Sequence, residues 1–326
     1  MSNSTLSLLR DSKNLLAFSA GVDSTALFFT LLEYKIPFDM AHVNYQTRKE
    51  SDSEELYAKE LAKKYNKKLF IKRVSLEKSN FEKKARDVRY DFFGQIFKKE
   101  NYQNLLTAHQ LNDRFEWFLM QFSKGAGVVE LLGFEEVEKR ELYTLVRPLI
   151  NVSKERLELF LKENGIKYFI DSSNFDENFK RNFIRKNFAT PFLNLYEEGV
   201  IKSFEYLQKD KERLFKPKLL FQKKELFIFQ REKDDIENIR IIDKTLKKLG
   251  ILLSKKQRDE ILKSKDTVVS HKIAVSFTKN KIFIAPFLKE TMPKRFKEKC
   301  RSLKIPPKIR PYIFKEKIKE LKCLED

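Results

Sequence analysis

Over the first half of the chain, short apolar runs alternate with amphipathic stretches, and the period of each run assigns its element. Residues 14–19 (NLLAFS) read as a buried strand, followed by a turn around Gly21 and a helix over 24–34. Residues 38–43 (FDMAHV) form a second predicted strand. Ser51 or Ser53 is positioned to cap a helix to 66, with Glu54 and Glu55 favourable in its first turn. A third strand is predicted at 69–74, and Asn80 caps a long helix to 99. A fourth strand at 105–108 precedes a helix over 111–122. A fifth, at 143–146, ends at Arg147-Pro148, and Ser153 caps a helix to 163. This alternation predicts an α/β fold, a parallel five-stranded sheet with helices on both faces. Ligands of such sheets bind beyond the carboxyl ends of the strands, so the residues just after each strand matter most.

Beyond 187 the pattern turns helical, with 188–206 a connecting helix. Short β-like runs at 219–229, 273–277 and 281–286 then flank a helical stretch at 243–263, and Pro293, Pro306, Pro307 and Pro311 punctuate the tail. The expected organisation is a first domain over 1–186, a helical linker over 187–215, and a smaller α+β region over 216–326.

Composition narrows the class. The 326 residues are 41% apolar and 35% charged, enough for two domains with a real core. No run approaches the ~18 apolar residues of a membrane span, and no basic-then-apolar leader opens the chain. The two cysteines, Cys300 and Cys323, form no Cys-x-x-Cys pair, which argues against a disulfide framework, a structural zinc site or a Cys-ligated cluster. A cytoplasmic protein is expected. The net charge of +20 is unevenly spread: residues 1–200 carry 32 Lys/Arg against 29 Asp/Glu, residues 201–326 carry 35 against 18. A nearly neutral body joined to a basic module points to a polyanion such as nucleic acid, with a lysine-rich solvated face as the alternative.

The turn after the first strand, Ser19-Ala20-Gly21-Val22-Asp23-Ser24-Thr25, is built for an anion. Small residues allow a tight turn whose amides, with the following helix N-terminus, face a phosphate. The hydroxyls of Ser19, Ser24 and Thr25 add donors, and Asp23 is a candidate ligand for a divalent cation. No Gly-Lys-Ser/Thr follows, so this is not a Walker loop. The alternative is an ordinary capped strand–turn–helix. Ser-Ala-Gly-Val-Asp-Ser resembles the Ser-Gly-Gly-x-Asp-Ser signature of the PP-loop ATP pyrophosphatases, with Ala20 where that family usually has glycine. One methyl there is tolerable at negative φ and strained at positive φ.

Further segments specify the resemblance: His42-Val43-Asn44-Tyr45-Gln46-Thr47-Arg48, Ala85-Arg86-Asp87-Val88-Arg89-Tyr90, Leu106-Thr107-Ala108-His109-Gln110-Leu111-Asn112-Asp113-Arg114-Phe115-Glu116, Val146-Arg147-Pro148-Leu149, and Asp171-Ser172-Ser173-Asn174 before Arg181-Asn182-Phe183-Ile184-Arg185. In this order, over about 12–190, they resemble the tRNA(Ile)-lysidine synthases. A weaker echo lies at 294–314. Tyr45 stands where many members have His, and Arg114 where Gln is common.

The resemblance implies an adenine nucleotide α-hydrolase-like fold, with 1–186 as the ATP-binding catalytic domain and 216–326 as the tRNA-binding region. It implies joining of free L-lysine to carbon 2 of the wobble cytidine of a tRNA(Ile) with a CAU anticodon, using ATP and Mg2+. Ser19, Ala20, Gly21, Val22, Asp23, Ser24, His42 and Arg86 would bind ATP or pyrophosphate, and Asp23 the metal. Asp23, Arg89, His109 and Glu116 would be catalytic, Arg89 by stabilising charge at phosphorus. Asp113 and Glu116 would recognise the lysine. His109, Asp113 and Glu116 at i, i+4 and i+7 would share one helix face. Arg181 and Arg185 would reach a phosphate of ATP or tRNA.

Plainer roles stand beside these. They are a solvated acidic face, an ion pair of Arg86 or Arg89 with Asp87 or Asp91, a pair of Arg181 or Arg185 with Asp176 or Glu177, and a structural His42. Aromatic–basic interleaving over 221–231 suits RNA, although core strands also carry Phe at such spacing. A PP-loop tRNA thiolase is the rival enzyme, opposed by the absence of cysteine from the first 299 residues. A tRNA-binding protein with an idle nucleotide loop is the rival from another class.

Overall fold

A computed structural model describes residues 1–46, 50–76, 80–170 and 180–319. The chain divides into two units, Met1–Lys211 and Glu212–Asp326.

The first unit runs α1 (Asn3–Arg10), β1 (Asn14–Ala17), α2 (Val22–Glu33), β2 (Phe38–Asn44), α3 (Glu50–Lys64), β3 (Leu69–Arg73), α4 (Phe81–Glu100) and β4 (Asn104–Leu106). It continues with α5 (Leu111–Phe122), α6 (Val128–Leu131), β5 (Val137–Lys139), β6 (Thr144–Val146) and α7 (Lys154–Glu163). After α8 (Lys180–Ile184) comes a π-helical turn (Arg185–Ala189), then α9 (Thr190–Leu214). The strands form one sheet in the order β3-β2-β1-β4-β6-β5. Five are parallel, and β5 lies antiparallel to β6 at the edge. The expected five-stranded sheet therefore has six strands. The sixth escapes sequence reading because a three-residue strand reading Val-Glu-Lys has too little apolar alternation, while its charges suit an exposed edge.

Both sheet faces are buried, which is why the strands are apolar at successive positions. Leu16, Met40, Leu106 and Val146 pack with Phe28, Leu31, Leu61 and Leu161 on one side. Leu15, Ala41, Leu105 and Leu145 pack with Phe93, Ile96 and Phe97 of α4 on the other. Asn14 saturates the amino end of the sheet. Its amide donates to the carbonyls of Leu9, Ser12 and Pro37 at 2.7–2.9 Å and its oxygen accepts from Asn104.

Two cap expectations change. Glu50 already opens α3, so Ser51 lies inside it, and Asn80 precedes α4 in a left-handed conformation without a side-chain cap bond. Ser153 does cap α7, through the Arg156 amide. The segment expected as a linker supplies Ala189, Leu193, Val200 and Phe204 to an apolar cluster with Leu111, Phe115 and Leu132. The first unit accordingly extends to Lys211, through most of the segment expected as a linker.

The second unit contains β7 (Leu219–Lys223), β8 (Leu226–Gln230), α10 (Asp235–Lys248), α11 (Lys255–Ser264), β9 (Asp266–Val269), β10 (Ile273–Phe277), β11 (Lys281–Pro286), α12 (Lys294–Ser302) and α13 (Arg310–Lys315). Its antiparallel sheet has the order β7-β8-β11-β10-β9. Alternation along β8 splits the core: Leu226 and Ile228 face Cys300, Ile309 and Ile313, while Phe227 and Phe229 join Ile241, Leu246 and Ile261. Among the described residues no helix is long and apolar enough to cross a membrane.

Candidate active site

The sheet order sets β1 beside β4, where successive connections leave in opposite directions, and side chains converge beyond the carboxyl ends of these two strands. After β1, Phe169 donates its amide to the Ala20 carbonyl (2.9 Å) and fixes the outer side of the turn. The Ser24 hydroxyl meets that of Ser19 at 3.1 Å, accepts from the Ser19 amide and donates to the Gly21 carbonyl. Gly21, with φ −75° and ψ 172°, precedes α2 and leaves the first amides of Val22, Asp23 and Ser24 without a side-chain cap. A helix N-terminus of this kind can receive an anion. The residue at positive φ is Ala20 (63°), fully buried, so the methyl sits in the conformation a glycine would take without strain.

Asp23 lies in the first turn of α2. One carboxylate oxygen, Oδ1, is buried with no hydrogen-bond partner. Burial, and then the negative charge of Asp113, push its pKa up to about 7, against the opposing pull of Lys154 and Arg185. Among the described residues no three His, Cys, Asp or Glu cluster as a metal site. A single unsatisfied carboxylate beside a phosphate cradle nevertheless fits Mg2+, which binds through one or two carboxylates and the substrate's own phosphates.

After β4, α5 begins at Leu111 with Gln110 as its cap. Gln110 accepts from the Asn112 amide and donates its own amide to Asp113 Oδ2 at 3.2 Å. His109 thus precedes the helix, and only Asp113 and Glu116 share a helix face; the capping chemistry of Gln110 shortens the expected i, i+4, i+7 row. The His109 ring lies 5.2 Å from Phe134, and Nδ1 is 2.9 Å from the Thr107 hydroxyl. Burial, followed by the charges of Arg147, Arg181, Arg89 and Arg86, lowers its pKa to about 3. His109 is neutral at physiological pH.

Glu116 is wholly buried and held by two arginines. Arg185 donates Nε to Oε1 at 2.5 Å and Nη2 to Oε2 at 3.1 Å, while Arg181 donates Nε to Oε2 at 2.7 Å. Arg181 reaches on to Asp113 Oδ1 at 2.5 Å. Asp113 and Glu116, expected to meet a lysine, and Arg181 and Arg185, expected to meet phosphate, are therefore bonded to one another. The alternative partners Asp176 and Glu177, and the 171–174 motif, lie outside the described residues, as do Thr47 and Arg48.

Arg86 and Arg89 project from α4 and are exposed. Arg86 lies over the Tyr90 ring, and neither arginine has a carboxylate partner among the described residues. His42 is buried in β2 and donates Nδ1 to the Phe18 carbonyl at 3.0 Å; burial lowers its pKa. Asn44 beside it is bound by Asp52 and Glu55. Two groups escaped sequence reading. Arg147, buried by its bonds to Glu135 and Glu138, directs charge at His109. Lys154 opens α7 with its amide on Asn112 Oδ1 (3.0 Å) and directs charge at Asp23. Their signals, the Arg-Pro ending of a strand and a lysine just after a capping serine, were visible but carried no indication of direction.

The arrangement can offer an anion cradle with one carboxylate in its helix, a neutral imidazole after the neighbouring strand β4, and two arginines on α4 that have no carboxylate partner among the described residues.

The chain is similar to known proteins over most of its length. A family model described as the PP-loop domain matches residues 2–191. A tRNA(Ile)-lysidine synthase of Campylobacter jejuni strain RM1221 is 48% identical over 314 residues, 96% of each chain. The Wolinella succinogenes protein of the same name is 45% identical over 94% of each chain, and the Helicobacter pylori strain 26695 protein 41% over 96% of this chain and 92% of its own. Among solved structures, the U34-tRNA thiolase NcsA from Methanococcus maripaludis, with its [4Fe-4S] cluster, covers 62% of this chain at TM-score 0.50 and 16% identity, a likeness of fold alone.

Proposed function

The chain belongs to the tRNA(Ile)-lysidine synthase family, and from that premise we propose how its own residues divide the reaction. The reaction is ATP-dependent formation of lysidine on tRNA(Ile), a carbon–nitrogen ligation. The carbonyl oxygen of the CAU wobble cytidine attacks the α-phosphorus of ATP and pyrophosphate leaves. The lysine ε-amine then adds to carbon 2, and AMP departs with the oxygen.

Ser19, Ser24 and the amides from Ala20 to Ser24 take the departing phosphates, where prepositioned donors act without reorganising. Asp23 holds Mg2+, which when bound offsets charge on the phosphates. Arg89, with Arg86, meets charge developing at phosphorus, and its freedom from a carboxylate supports this role. His109, neutral and held by Thr107, orients the reacting base and places no positive charge beside it. Asp113, the one carboxylate of the ion-pair cluster that keeps some exposure, meets the lysine. Glu116, with both oxygens bonded and no exposure, sets Arg181 and Arg185 rather than touching substrate. The basic residues beyond 200 hold tRNA, in the cytoplasm where tRNA is processed. A thiolase is not favoured: Cys300 is buried in the second unit's core, and no cysteine precedes it.

The observation that carries this assignment is the β1–α2 turn with Asp23 in it and His109 after the neighbouring strand β4, at the strand ends of a chain 48% identical to a lysidine synthase. It is tested with radiolabelled lysine, ATP, Mg2+ and transcribed tRNAs bearing a CAU anticodon. Label enters tRNA(Ile) and not methionine tRNA. Sulfur transfer without lysine incorporation would overturn it.

A further inference from the structure

Residues 180–196 carry four cations, no acid and four aromatic side chains, Phe183, Phe188, Phe192 and Tyr196. All four rings are between 46% and 57% exposed, an unusual state for large aromatics clustered on one element. Their spacing is five, four and four. In an unbroken α-helix a five-residue step turns about 140° past a full circle and would send Phe183 away from the others. The π-helical turn over Arg185–Ala189 lies at that step and absorbs the extra residue. Phe183 and Phe188 are left 5.9 Å apart, edge to face, and Phe192 and Tyr196 5.0 Å apart. The buried row, Ile184, Ala189 and Leu193, takes the same five-then-four step. The wide turn therefore keeps an aromatic row outside and an apolar row inside. Arg181 and Arg185 of the same segment hold Glu116, and Phe192 leans on Phe115, the neighbour of Glu116 in α5.

We propose that Phe183, Phe188, Phe192 and Tyr196 form a stacking ledge for the unpaired nucleotides beside the modified cytidine. This rests on the lysidine synthase assignment, which requires single-stranded RNA at the carboxyl edge of the sheet. Every base presents a π-face, and a row of exposed rings on a segment that carries no acid of its own is a surface such nucleotides bind. A second copy of the chain is the competing occupant, and the light-scattering arm of the test below detects it.

The test uses full-length protein and a tRNA(Ile) transcript with 2-aminopurine in place of the anticodon adenine next to the wobble cytidine. Wild type quenches the probe on binding. A Phe183→Leu/Phe188→Leu protein, apolar but without rings, loses the quench and binds on the order of tenfold more weakly. The slope of affinity against salt stays unchanged because no phosphate contact is lost. Phe183→Tyr/Phe188→Tyr restores both signals. Unchanged quench and affinity in the leucine variant would overturn the ledge, as would weaker binding accompanied by loss of a dimer in light scattering. Failure of wild type to incorporate lysine, with ring-dependent quenching intact, would instead overturn the assignment of function and leave the ledge standing.

Discussion

Two arginine pairs border the site, three and four residues apart in sequence and in opposite electrostatic states. Arg181 and Arg185 are bound to Asp113 and a buried Glu116. Arg86 and Arg89 stand exposed on α4 with no carboxylate among the described residues. A guanidinium already bonded on two edges contributes framework, and one without a partner is available to a substrate's charge. Motif spelling treats the two pairs alike; the difference comes from what each faces.

The largest effect expected from breaking this contrast is at Arg89. Arg89→Ala lowers kcat by about 10²–10³, the scale for losing one prepositioned charge donor, and leaves the melting temperature unchanged because the side chain is exposed. Parallel single-turnover and thermal-unfolding measurements check both halves. Glu116→Gln gives the reverse pattern. Removing the buried carboxylate leaves two guanidiniums uncompensated and costs about 3 kcal/mol of stability, a figure already reduced for the half exposure of Arg181. Denaturant unfolding reads it directly. Retention of wild-type stability would mean that Arg181 and Arg185 are not framework.

Asp23 sharpens the picture through pH. Its pKa is raised to about 7, so the folded chain holds a proton that the unfolded chain releases near pH 4. Stability contributed by that proton is present below about pH 4 and lost as pH rises toward 7. The ionised form needed for Mg2+ grows over the same interval. The affinity of the ATP-free protein for Mg2+ therefore rises with pH up to about 7 and levels off above it, while His109, neutral throughout, adds no limb near 6.5. A limb at 6.5 that vanishes in His109→Gln would contradict this. Ala20→Gly has the smallest effect, about 0.5 kcal/mol of stabilisation. Relief of left-handed strain slightly outweighs the added freedom of the unfolded chain.

Legibility in the sequence followed the physics of each element. The parallel strands could be read because both of their faces are buried. The β7–β8 hairpin merged into one predicted run because its turn is Lys224-Glu225, with a lysine at φ 52° where an Asn-Gly signal would have stood. The stretch 243–263 is two helices separated at Gly250 (φ 77°), a stop signal that was available. In the site, the phosphate turn was legible because its chemistry is local. The Glu116 cluster was not, since its partners are 65 and 69 residues away and any carboxylate in the chain was an equal candidate.

At the opposite end of the same strands, Asn14 ties the end of α1, two loop carbonyls and β4 into one knot. The sheet consequently has a stiff end and a compliant one. Amide deuteration should run as a slow clock along each central strand, slowest beside Asn14 and fastest toward Ser19 and His109. Substrates then enter at the end that opens first, and the knot keeps that opening from travelling down the sheet.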